Sequence, residues 1–190
     1  EAHSNYADLI YQKIIYKGDS VYKDWTLDKA IAEAQKAYEI KAQPIYRHQE
    51  AQINFVKGEY QKAYDTFMDL TNTSLLSGEL YFEAAQAKKN LKAPAKEIEV
   101  LLDSAVSVGS KTGMVANYYL ARAEFLKKQG EFRRAIQDYN MYDSIARPVS
   151  PAFFYTRYQC ETKLHMWQPA LLDIARTCYL APKEPTYFAE

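Results

Sequence analysis

One motif returns along this chain at a nearly constant distance, and that recurrence limits the fold more than any other feature. Its clearest copy is Gly130-Glu131-Phe132 followed by Ala135-x-x-x-Tyr139. A second puts Ala63-x-x-x-Phe67 after Gly58-Glu59-Tyr60, and a third puts Ala170-x-x-x-Ile174 after Trp167. Ala30-x-x-x-Ala34 and Ile98-x-x-x-Leu102 are weaker copies. Counting from Ala30 to Ala63, Ile98, Ala135 and Ala170 gives steps of 33, 35, 37 and 35 residues. A period of that size marks an array of helix hairpins; each is too small to bury its own apolar face, so neighbours stack.

The helix breakers fall on the same period. Gly18, Gly58, Gly78, Pro94, Gly109, Gly113, Gly130, Pro148, Pro151, Pro182 and Pro185 all sit where the repeat places a turn or helix boundary, while Pro44 and Pro169 fit first turns. The spacing predicts hairpins near 4–40, 44–72, 79–108, 115–146 and 151–180, with the stretch from Lys17 to Asp24 as a long first connection. Pro185-Thr186-Tyr187-Phe188 reads like Pro151-Ala152-Phe153-Phe154, so a further or capping helix is expected to start at 185–190. Residues 1–190 are expected to form a single array. Ala63, Phe67 and Leu70, or Ile98, Leu102 and Ala105, recur at helical spacing and read as inter-helix core. No strand pattern persists, so the expected class is all-α.

The sequence excludes several function classes. Lys and Arg number 24 and Asp and Glu also 24, so no global field gathers nucleic acid or acidic membranes. The basic run Lys127-Lys128-Gln129-Gly130-Glu131-Phe132-Arg133-Arg134 is not continued at the equivalent turns, where a nucleic-acid stripe would need it. Apolar runs are far shorter than the roughly 18 to 20 residues that span a bilayer. His3, His48 and His165 form no metal-ligand spacing, and phosphate-binding or nucleophile-elbow motifs are absent. No enzyme, cofactor or metal is therefore expected. Cys160 and Cys178 sit about 7 Å out of register along their helices, too far for a bridge, and read as small core residues.

These residues resemble tetratricopeptide repeats, whose 34-residue pattern runs W-x2-L-G-x2-Y, A-x3-F, P. The second halves carry the likeness in Ala63 and Phe67, Ala135 and Tyr139, and Ala170 with Pro182. In the first halves Phe82, Tyr119, Phe154 and Phe188 hold the family's aromatic, and Ala51 and Ala123 its glycine. The likeness covers roughly residues 9 to 190. It implies a right-handed α-solenoid of about five hairpins whose first helices line a concave groove. It nominates His48, Gln52, Glu83, Asn90, Glu124, Lys127, Tyr155 and Gln159 as groove residues. The chaperone-binding members' carboxylate clamp is disfavoured, because His48, Gln52, Ala84, Asn117 and Ala121 stand at its positions and lack the cations.

The implied function is a non-catalytic scaffold that binds a peptide or protein segment in the groove. Two alternatives are a sensory or regulatory repeat region of a larger signalling protein, and glycan binding through groove tyrosines. The chain has 17 Tyr, 8 Phe and 2 Trp, with rings clustered at Tyr81-Phe82, Tyr118-Tyr119 and Phe153-Phe154-Tyr155. Most fill gaps between hairpins, and a minority are expected to project into the groove. Trp167 is expected to act as a wedge in its turn. The start at Glu1 and the tyrosine content resemble exported envelope repeat proteins. That favours an extracytoplasmic place, in periplasm or cell envelope, over the cytoplasm, while the hairpin opening again at Pro185 favours a chain belonging to a longer protein.

Overall fold

The computed structural model describes residues 1–17, 25–110, 115–148 and 150–184. Residues 18–24 of the first connection, Gly113, Pro185 and the further helix expected at 185–190 with Phe188 lie outside the described residues. Among those described, ten helices form five consecutive pairs and no strand occurs. In chain order they are α1 (Ala2–Lys17), α2 (Leu27–Ile40), α3 (Pro44–Lys57), α4 (Tyr60–Leu70), α5 (Gly78–Asn90), α6 (Ala95–Gly109), α7 (Ala116–Lys128), α8 (Phe132–Ala146), α9 (Pro151–Lys163) and α10 (Trp167–Leu180). None of these helices is long and apolar enough to cross a membrane.

Local chemistry sets most of these boundaries. Pro44 and Pro151 occupy the first turns of α3 and α9, where their missing N–H is no loss. Thr26 caps α2 by accepting from the Lys29 N–H at 3.2 Å. The turns inside the last four hairpins share one backbone solution. Gly58, Lys92, Gly130 and His165 are left-handed, with φ of 90°, 55°, 79° and 57°. The residue after each donates its N–H five residues back, Glu59 to Asn54, Ala93 to Lys88, Glu131 to Leu126 and Met166 to Glu161, all at 2.9 to 3.0 Å. This is the Schellman end, which satisfies the carbonyls a terminating helix leaves open. Helix α4 stops at Leu70, two residues short of the expected 72. There the Thr71 and Thr73 hydroxyls donate to the Met68 and Leu70 carbonyls at 2.7 Å and tie off the last turn.

The chain divides into two compact units, Glu1–Thr112 and Gly113–Glu190. In the first, each helix packs on the next from α1 to α6, and α1 also touches α3. Ile10, Ala30, Ile31 and Ile53 form one cluster of its core, with Tyr6, Tyr11, Ile14, Trp25 and Leu27 packed around them. Trp25 meets Tyr6 edge-on at 5.9 Å, which places the indole at the foot of α2. In the second unit, α7 to α10 enclose Ala123, Leu126, Ala135, Ile136, Tyr139, Phe153, Phe154 and Cys160. The recurring small residues Ala30, Ala63, Ala135 and Ala170 are all buried, as a close helix contact requires. Cys160 is buried and Cys178 half-buried, both as free thiols.

Trp167 corrects one expectation. It opens α10 as Tyr60 opens α4 and Phe132 opens α8, but it is 59% exposed and its ring neighbour is His165, itself exposed, at 5.3 Å. Tyr60 is held by Phe55 at 5.3 Å and Phe132 by the core cluster of its unit. Trp167 is thus exposed where Tyr60 and Phe132 are half-buried, and it is not the wedge expected of its turn.

Candidate functional site

The first helices of the last four hairpins supply the candidate residues, and in the first unit three of them converge. His48 and Gln52 stand one turn apart on α3, so both reach the same side of α5. The Glu83 carboxylate on α5 meets His48 Nε2 through Oε2 at 2.5 Å and accepts from Gln52 Nε2 through Oε1 at 2.7 Å. His48 is buried, and its ring lies edge-on to Phe67 at 5.9 Å. On the α1 side, Gln49 donates to the Ser4 carbonyl at 3.0 Å and accepts from the Ser4 hydroxyl at 3.1 Å. Beside Glu83 opens a pocket of about 200 Å³ lined by Tyr11, Gln52, Phe55, Phe67, Phe82, Glu83 and Gln86. Four of those seven are aromatic. Two of the five clamp-equivalent residues, His48 and Gln52, are thus engaged by a carboxylate of the chain itself. Asn90 does not join them. It is exposed near the end of α5, and its amide donates back to the Gln86 carbonyl at 2.9 Å.

In the second unit the nominated residues form a polar counterpart. Lys127 on α7 donates to Gln159 Oε1 on α9 at 2.9 Å. Both border a pocket of about 350 Å³ whose other walls are Phe132, Thr162 and Lys163. Glu124, one turn before Lys127, lies near the Tyr139 phenol, and burial together with that negative charge pushes the phenol's titration up. Tyr155 stacks on Tyr158 at 5.8 Å with 29° between the rings.

Behind this face runs a device that repeats with the hairpins. Arg122 on α7 donates to Asp138 on α8 through Nε and Nη2 at 2.7 and 2.8 Å. Arg157 on α9 does the same to Asp173 on α10 at 2.6 and 2.9 Å. Arg157 also reaches Asp143 at 2.8 Å and Asn140 at 3.0 Å, and its guanidinium sits over Phe153 and Phe154. Buried next to this cluster is Glu161, whose Oε2 has no hydrogen-bond partner. Loss of water and the nearby Asp173 charge push its carboxyl up to about 7.

Sequence reasoning nominated His48, Gln52 and Glu83 without relating them, and left out the aromatic walls Tyr11, Phe55 and Phe67. The available signal was the adjacency of Phe82 to Glu83 on one helix and the 35-residue offset between His48 and Glu83. The Arg–Asp pairs were also missed. Their signal is plain afterwards: each pair is 16 residues apart, and the two are displaced by one repeat. Among the described residues, no group of three or more His, Cys, Asp or Glu side chains is placed to hold a metal.

No family model and no curated protein matches the sequence. Solved structures do resemble the fold. YrrB, described as a TPR protein with an unusual peptide-binding site, superposes with a TM-score of 0.69 at 16% identity, over 98% of this chain and 88% of its own. PilF of Pseudomonas aeruginosa gives 0.72 at 14% identity, over 98% of this chain and 78% of its own. TTC0263, a thermophilic TPR protein of Thermus thermophilus, gives 0.62 at 16% identity, over 98% and 95%. The chain has the tetratricopeptide-repeat fold.

Proposed function

We propose that this tetratricopeptide-repeat chain is a non-catalytic interaction module that binds a peptide or protein segment on the first helices of the hairpins in one or both of its units. The observation that carries the reading is the convergence of His48, Gln52 and Glu83 at the edge of an aromatic pocket. A few placed polar groups beside apolar walls are the usual build of a recognition site. The second unit offers a comparable surface in Lys127, Gln159, Glu124 and Tyr155, so each unit can contribute contacts. YrrB, a structural relative, is described as having a peptide-binding site, which makes a peptide the first ligand class to try. The equal numbers of acidic and basic residues argue against nucleic acid as the partner.

The test is selection of a displayed random-peptide library on the full chain, followed by amide-shift mapping of a selected peptide. The expected footprint lies on α1, α3 and α5, on α7 and α9, or on both sets. For a peptide that reaches α9, Tyr155→Ala should weaken binding at least about fivefold, as loss of an aromatic anchor does, while Arg134→Ala should change it little. A footprint confined to α2, α4, α6, α8 and α10 would overturn the proposal.

A further inference from the structure

The aromatic pocket of the first unit carries a charge that its surroundings leave incompletely answered. A carboxylate presents about four lone-pair sites. Glu83 uses one on the Gln52 amide and one on the His48 ring, and among the described residues no lysine or arginine pairs with it. Both of its oxygens therefore keep acceptor capacity beside rings whose faces attract cations. The pocket, at about 200 Å³, is smaller than the roughly 300 to 1,000 Å³ that encloses a drug-sized ligand, and matches a single side chain.

We propose that this pocket receives one arginine side chain of the partner segment, with its guanidinium paired to Glu83 and stacked on the aromatic wall. Arginine is favoured over other residues by three features together. Its planar fork can take both carboxylate oxygens, its flat face stacks on Phe or Tyr, and it is more weakly hydrated than an ammonium. A leucine or phenylalanine would satisfy the walls but leave Glu83 facing an apolar group, which desolvates the carboxylate without compensation. The inference rests on the reading that the first-helix face is the binding face, and it adds the chemistry of what enters there.

The experiment titrates the full chain with N-acetyl-arginine methylamide and, separately, with the leucine analogue, following backbone amide shifts. Arginine should move signals of α3 and α5 around Gln52 and Glu83, and the leucine analogue should not. Glu83→Gln should weaken arginine binding at least about fivefold, the scale of losing a charge-assisted pair, and added salt should weaken it in the native chain. Phe82→Leu keeps the carboxylate and removes one ring. It should also weaken the arginine response, and so serves if the Glu83 variant does not fold. Equal binding of the leucine analogue, or arginine shifts unchanged by either substitution, overturns the inference. Absence of arginine shifts at the pocket overturns it too, even where library peptides bind elsewhere on the first helices. Failure of the peptide library alone counts against the wider reading and leaves the arginine titration to decide this one.

Discussion

Arg157 and Glu161 occupy nearby positions on α9 and have opposite effects on stability. Arg157 is 6% exposed, and its charge is matched by Asp173 at 2%. Removing Arg157 leaves the buried Asp173 carboxylate with the longer contact to Arg176 at 3.8 Å in place of two short hydrogen bonds, so Arg157→Met should destabilise the protein by about 3 kcal/mol in urea unfolding, and Arg157→Met with Asp173→Leu should recover part of that loss. Glu161 is the reverse case, because the fold prefers its neutral form. Its carboxyl is pushed from an ordinary 4.5 up to about 7. Below pH 4.5 the folded and unfolded states both hold the proton and its ionisation costs nothing. Between 4.5 and 7 only the folded state holds it, so stability falls as pH rises, and above 7 the cost is complete at roughly 3 kcal/mol. Glu161→Gln should therefore raise the unfolding midpoint at about pH 8 and flatten its decline from about pH 5 to 8. An equal decline in both proteins would locate the titrating group elsewhere.

At the scale of elements, the four Schellman turns explain why helix positions could be read from the sequence. Gly58 and Gly130 mark two of them openly, since glycine takes positive φ without steric cost. His165 and Lys92 fill the same backbone role without announcing it, although His165 stands where two other copies have glycine and so invited a turn reading. A reciprocal pair of substitutions follows. A Cβ at Gly130 would meet nothing within 4 Å, so Gly130→Ala should lose only the conformational term, about 1 kcal/mol. His165→Gly should gain a similar amount by relieving it. Thermal melts of the two variants should move in opposite directions. Side-chain partnerships across elements were less legible. Glu83 lies 31 residues from Gln52 and 35 from His48, and the register of α3 against α5 brings it to them. Asn90 carried the same family expectation but lies two helical turns beyond Glu83, where it bonds its own helix instead.

For the molecule as a whole, the period of the motif made the all-α repeat fold legible, because a hairpin that cannot bury its own apolar face leaves stacking as its remedy. The division at residues 112 and 113 was not legible, since the motif continues through it. That division has a consequence for stability. Residues 1–112 contain three hairpins, which meets the minimum of about three for a self-supporting stack, whereas 113–190 contain two. Expressed alone, residues 1–112 should give a helical circular dichroism spectrum and a cooperative melt, and residues 113–190 should melt at lower temperature. A non-cooperative trace from residues 1–112 would mean that this unit depends on the rest of the chain.

The two tryptophans fall one to each unit. Trp25 is half-buried against Tyr6 beside the cluster that also holds Tyr11, while Trp167 stands open to water at the start of α10. The chain thus carries two native fluorophores in different solvents, the first bluer in emission and the second redder. Trp167→Phe would leave Trp25 as a single lamp packed on the same core cluster as Tyr11, a wall of the pocket proposed to take arginine, so a ligand arriving there could be followed without any added dye.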